Sequence, residues 1–157
     1  MSAPHTVADL LLLRAAEKPD AVAYTFLVDG EREGSRFTYG QLDRDARAIA
    51  AALHARGLRV GDRALLLFPP GLDFVAAFFG CMYAGVIAVP SFPPHPAQLA
   101  RTLPRLVAIA TDAELSAVLT SAAIAPTRND PSSSRNFSAA RFGGGGMTLP
   151  LSSTESA

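Results

Sequence analysis

Four consecutive glycines, Gly143 to Gly146, and a single lysine, Lys18, are the residues of this chain whose types could address a phosphate. A phosphate loop needs its amides aimed by a strand–loop–helix frame, with a lysine close behind. The run lacks a following lysine and a strand before it: Arg141-Phe142 does not make a buried strand, and Met147-Thr148-Leu149-Pro150 is no helix start. A flexible linker accounts for the glycines. Lys18 stands beside Pro19 at the end of a helical pattern, a solvated position. His5, His54 and His95 are far apart and show no metal-ligand spacing. His54 falls near a helix end, and His95 lies in a proline loop that faces either solvent or a ligand channel. Asp9, Asp29, Asp43, Asp45, Asp62 and Asp73 fit caps, turns and exposed positions, with no paired carboxylates for acid–base work. Cys81 has apolar neighbours and nothing to stabilise a thiolate, which predicts a small buried hydrophobe. No catalytic, cofactor-binding or metal-ligating residue is therefore assigned to this chain.

The bulk properties narrow the class. The chain has 157 residues, 49% of them hydrophobic, enough for one domain with a core. Its formal net charge is zero, so no basic excess points to nucleic acid or to an anionic membrane. One cysteine forms no internal disulfide and suits a reducing compartment. Leu10 to Leu13 follows Asp9 without a basic leader and is too short for a signal core. The uncharged run Phe74 to Phe92 divides into a helix and a strand, neither reaching the ~20 residues of a membrane span. These features predict a cytoplasmic soluble protein.

The elements that would position any site alternate. Residues 5–18 read as a helix capped by Thr6 with Asp9. Val22, Tyr24, Phe26 and Val28 share one face of a half-buried strand. Asp29-Gly30 then turns into Glu31–Phe37, a hairpin with a loose loop. Thr38 and Gln41 make a capping box, followed by an apolar stripe at Leu42, Ala46, Ile49 and Leu53. Asp43, Arg44, Asp45 and Arg47 form the opposite, solvated face, and Gly57 ends the helix. Ala64 to Phe68 predicts a strand buried on both faces. Residues 72–84 predict a helix apolar nearly all round, with Gly80 marking a close neighbour. Val86 to Val89 predicts a second buried strand, joined to the first by a right-handed crossover. Ser91 to Pro96 is a stiff extended loop. Residues 97–111 read as helical, with Pro104 either kinking the helix or starting a second one. Ser116 to Thr120 is the last predicted strand. Residues 125–157 hold seven Ser, three Pro and the four glycines, a composition that predicts disorder.

Four segments carry a family resemblance. They are Phe37-Thr38-Tyr39-Gly40-Gln41-Leu42, Val60-Gly61-Asp62-Arg63 with Leu65-Leu66-Leu67, the Pro69-Pro70-Gly71-Leu72-Asp73-Phe74 turn, and Tyr83-Ala84-Gly85-Val86-Ile87-Ala88-Val89-Pro90. Residues 6–124 thereby resemble the amino-terminal subdomain of the adenylate-forming, acyl-activating superfamily. The double proline, Cys81-Met82-Tyr83 and Phe92-Pro93-Pro94 are similar to the fatty-acyl-AMP ligases. The resemblance implies an α/β fold: part of a doubly wound sheet with flanking helices and an early β-hairpin. Residues 1–124 would form this partial subdomain, and 125–157 a disordered tail or a continuation in a wrong reading frame. Full-length relatives use ATP and magnesium to make an acyl-adenylate from a fatty acid. They pass the acyl group to an acyl carrier protein or to a polyketide or nonribosomal synthase module. Their phosphate loop, adenine pocket and mobile lysine find no match here, so the chain alone is expected to be inactive. The alternative is a non-enzymatic α/β interaction module or one half of a split enzyme. Pro69-Pro70-Gly71 needs only its structural role as a strand-to-helix turn, although the carboxyl end of a strand is where open α/β sheets bind ligands.

Overall fold

Reciprocal caps start the first two long helices. The computed structural model describes residues 4–94, 96–121 and 137–141. In it the Thr6 hydroxyl accepts from the Asp9 N–H at 3.0 Å, and the Asp9 carboxylate accepts from the Thr6 N–H at 3.0 Å. Helix α1, Val7–Glu17, follows and stops at Lys18. Thr38 and Gln41 repeat the device at the head of α2, Tyr39–Ala55. Beyond α2, Gly57 takes a φ of +80°, a left-handed value costly for a side chain.

Strands β1, Val22–Leu27, and β2, Glu33–Thr38, form an antiparallel hairpin. Its turn is tied rather than loose. Asp29 Oδ1 accepts from the Glu31 and Arg32 N–H groups, and Oδ2 accepts from Arg32 Nε at 2.7 Å. The half-buried face expected of Val22, Tyr24, Phe26 and Val28 does not form. Val22 is 50% and Val28 59% exposed, while Phe26 packs against the core. Register shifts between Val22 and Tyr24 and between Thr25 and Leu27 break the alternation. Among the described residues this two-stranded ribbon also has no neighbouring strand to extend its cover.

The second sheet holds β3 (Arg63–Leu67), β4 (Ile87–Ser91), β5 (Ala117–Ser121) and β6 (Phe137–Arg141) in the order β4-β3-β5-β6. The first three are parallel, and β6 runs antiparallel to β5. Helix α3, Leu72–Ala84, joins β3 to β4. A 3₁₀ turn, Pro96–Gln98, and α4, Leu99–Asp112, join β4 to β5. Parallel neighbours require such crossovers, and the architecture is the expected α/β type with an early hairpin. Central β3 is buried through Ala64, Leu65 and Leu66, as its unbroken apolar run predicts. Val86–Val89 is a correction. Val86 is buried, but β4 is an edge strand and Ile87 is 51% exposed, because an apolar run by itself does not say whether a second neighbour will arrive.

Two further findings concern α4 and the tail. Of the two alternatives at Pro104, a kink or a second helix after a break, the second is excluded. Pro104 lies within one continuous helix, which forgoes the bond from residue 104 to the Ala100 carbonyl. None of the described side chains of α4 is buried. Segment 125–157, expected to lack regular structure, contributes β6. Backbone pairing with the open side of β5 supplies partners that composition does not reveal.

The core lies where α2 meets α3 over β3. Leu42, Ala46, Ile49 and Leu53 of α2 pack with Ala76, Ala77, Phe79 and Cys81 of α3. Gly80 has the close neighbour the sequence predicts: a Cβ there would stand 2.5 Å from Ile49 Cγ2. The far side of α3 is less covered than an all-round apolar helix implies, since Phe74, Val75, Phe78 and Met82 are only partly buried. The solvated face assigned to Asp43, Arg44, Asp45 and Arg47 holds for the exposed Arg44 and Arg47 but is corrected at Asp43. The Asp43 side chain is 15% exposed, accepts from Tyr83 Oη at 2.8 Å, and pairs with Arg47 Nε at 2.8 Å. Arg47 in turn stands over the Tyr83 ring. A partner forty residues away turned a surface carboxylate inward.

Candidate functional site

The parallel register brings two separate sequence features to one place. Leu67 of β3 is level with Ser91 of β4, so the Phe68–Gly71 turn and the Pro90–Phe92 exit lie side by side. With Phe74 from the first turn of α3 they line a groove of about 310 Å³ at the carboxyl edge of the sheet. Phe68 is its buried floor, and Phe92, 84% exposed, is its rim. Phe74 stacks on Phe78 at 6.0 Å between ring centroids. On the other side of β3, Thr120 Oγ1 donates to the Leu67 carbonyl at 2.7 Å. Its neighbour Ser121 is buried, and the Ser121 hydroxyl has no hydrogen-bond partner among the described residues. The sequence names Pro69-Pro70-Gly71 and Phe92-Pro93-Pro94 but does not join them. Recognising β3-α3-β4 as a parallel unit, whose strand ends coincide, is the signal that could have done so.

The other candidate residues do not converge. Lys18 caps the end of α1. His5 precedes α1, and His54 Nδ1 lies 3.3 Å from the Leu58 carbonyl near the end of α2. His95 and Gly143–Gly146 lie outside the described residues. The expectation that no strand precedes the glycines is corrected by β6, which ends at Arg141. Asp9 and Asp29 serve a cap and a turn, and the hydrogen bonds they accept hold both below the usual carboxylate range. Asp62 accepts from the Arg59 N–H at 2.7 Å in a turn. Asp73 lies in the first turn of α3. Burial pushes the Cys81 thiol up to about 12, the opposite of what a nucleophile needs. Tyr83 is raised by burial and then by its bond to Asp43.

The groove suits apolar matter. Among the described residues that line it, Ser91 supplies the one polar side chain and none is a cation. A triphosphate requires cations or converging amides. Among the described residues no group of three His, Cys, Asp or Glu side chains could hold a metal. The described residues thus do not fit ATP with its metal ion. No described helix is long and apolar enough to cross a membrane.

Known proteins share this stretch. The chain is 51% identical over 122 residues to the medium-chain-fatty-acid–acyl-carrier-protein ligase JamA of Moorena producens, covering 76% of this chain and 20% of that protein. It is 40% identical over 119 residues to human Disco-interacting protein 2 homolog A, covering 75% of this chain and 8% of that one. A crystal structure of fatty acyl-adenylate ligase from L. pneumophila, in complex with acyl adenylate and pyrophosphate, superposes with a TM-score of 0.65 at 46% identity. That match covers 74% of this chain and 20% of that one. The chain therefore spans a fifth or less of the length of these relatives. A family model described as AMP-binding enzyme matches residues 12–142, past Ile124 and through β6. By that match, the chain belongs to the AMP-binding enzyme family.

Proposed function

We propose that the chain is the amino-terminal portion of a fatty-acyl-AMP ligase. The complete enzyme would condense a fatty acid with ATP and magnesium, releasing pyrophosphate and forming an acyl-adenylate. The acyl group would then pass to an acyl carrier protein or a synthase module, in the cytoplasm and in the service of lipid synthesis. The observation that carries this reading is the parallel β4-β3-β5 sheet with its apolar carboxyl edge. The similarity to ligases about four times as long supports it. Within that enzyme this chain supplies scaffold and apolar surface. The polyphosphate contacts belong to the remainder, because the only lysine is a helix cap and the groove is uncharged.

Fatty-acid-dependent ATP–pyrophosphate exchange tests this reading. The purified chain is expected to give no signal above a buffer control, and clear turnover by it alone would overturn the proposal. The domain limits are proposed as 1–124 and 125–157. Translating the gene beyond the Ile124 codon in the other two frames tests whether the tail is out of frame: because the family match runs in frame to residue 142, a Ser/Thr/Gly-rich run ending in Pro-Lys-Gly is expected only downstream of that point. The second reading is an interaction module or split-enzyme half. The exposed apolar residues of β1 and the uncovered face of α4 favour it.

A further inference from the structure

Two of the places where a larger partner could join the sheet are the open side of β4 and the groove at the carboxyl edge, the outer side of β6 being the other edge among the described residues. Backbone directions separate them. The Ile87 N–H donates to the Asp62 carbonyl at 2.7 Å, so residues 87, 89 and 91 turn their backbone groups toward β3. Ala88 and Pro90 then turn theirs outward. Proline has no N–H, which leaves Ala88 as the one donor along the outer side of β4. An edge proline of this kind discourages strand addition.

The carboxyl edge has the opposite character. Phe92 is 84% exposed beside the exposed prolines 69 and 70, a combination that water does not favour. At the same edge the buried Ser121 hydroxyl has no described partner, and a buried hydroxyl left unbonded is destabilising. An apolar socket and an unanswered polar group thus sit at one end of the sheet. Matched ligases carry about three times this length of additional chain.

We propose that this carboxyl edge is the seam with the remaining body of a ligase. An apolar segment of that body seats between Phe68, Pro70, Phe74 and Phe92, and a polar group beside it meets Ser121. The outer side of β4 is not the seam. This inference rests on the ligase reading above and names the surface that reading requires.

The test pairs this chain with the complementary four fifths of the L. pneumophila fatty acyl-adenylate ligase. The pieces are co-expressed, and also fused into one polypeptide in case the complement does not fold alone. Co-purification is read for the separate pieces, and hydrogen-exchange protection of residues 68–74 and 91–92 for the fusion. Phe92→Asp is expected to reduce co-purification roughly tenfold and to remove that protection, as loss of a central aromatic anchor does. Ala88→Pro deletes the outward donor of β4 and is expected to leave both within about twofold. Indifference to Phe92→Asp, loss through Ala88→Pro, or absence of protection in the unsubstituted fusion would each overturn the seam. ATP–pyrophosphate exchange is measured on the same samples. A groove-dependent complex without exchange would retain the seam and defeat the ligase reading. Exchange that ignores Phe92→Asp would do the reverse.

Discussion

Cys81 and Tyr83, two residues apart on α3, give the chain an alkaline limit. Desolvation raises the Cys81 thiol from 9.0 to about 12. A raised folded value means that the folded state holds its proton more tightly than the unfolded chain does. The stabilisation is complete below pH 9.0 and is lost as pH climbs toward about 12. Tyr83 adds to this from above its ordinary 10.0, raised by burial first and by the Asp43 bond second. Urea unfolding is expected to weaken steadily from pH 9 upward. In Cys81→Ala the decline should start only near pH 10, and in Tyr83→Phe the later part should shrink. A flat profile for the unsubstituted chain would refute this assignment. Only half of this pair was legible in the sequence. Apolar neighbours announced the burial of Cys81, whereas the Asp43–Tyr83 bond spans forty residues that no local pattern connects.

The α2–α3 contact is where packing is least forgiving. Alanine at position 80 would gain about 1 kcal/mol of helix propensity. Its methyl would stand 2.5 Å from Ile49 Cγ2 and 2.6 Å from Ile49 Cβ, and overpacking of this kind costs about 1–3 kcal/mol. The clash wins. Gly80→Ala is expected to lower the melting temperature, and Ile49→Ala in the same chain to recover part of the loss, giving a favourable coupling in a double-mutant cycle. Strict additivity would show that the helices do not meet there. Helix starts were readable because capping is an i, i+3 affair, as Thr6–Asp9 and Thr38–Gln41 attest. Strand burial was not, because it depends on what lies alongside. β3 and β4 are both apolar runs, yet one is central and the other marginal. β6 was missed because hydrogen bonding to β5, not side-chain pattern, places it.

Taken together, the described surface leaves apolar side chains in several directions: Val22 and Val28 on the hairpin, Val7 and Leu10 on α1, and Phe92 at the sheet edge. With zero formal net charge there is no repulsion to keep copies apart. The isolated chain is expected to associate, its apparent mass by light scattering rising with concentration. A monodisperse monomer that melts cooperatively would contradict that. The candidate groove escaped sequence reading because its walls are separated by a whole helix and meet only through strand register. The placement of β3 between β4 and β5 has one more consequence, for synthesis on the ribosome. Residues 63–91 can close β3-α3-β4 as soon as they emerge, but the second flank of β3 waits for residues 117–121. During that interval a nascent polypeptide displays a naked ladder of Leu-rich backbone, the period in which a chaperone has most to protect.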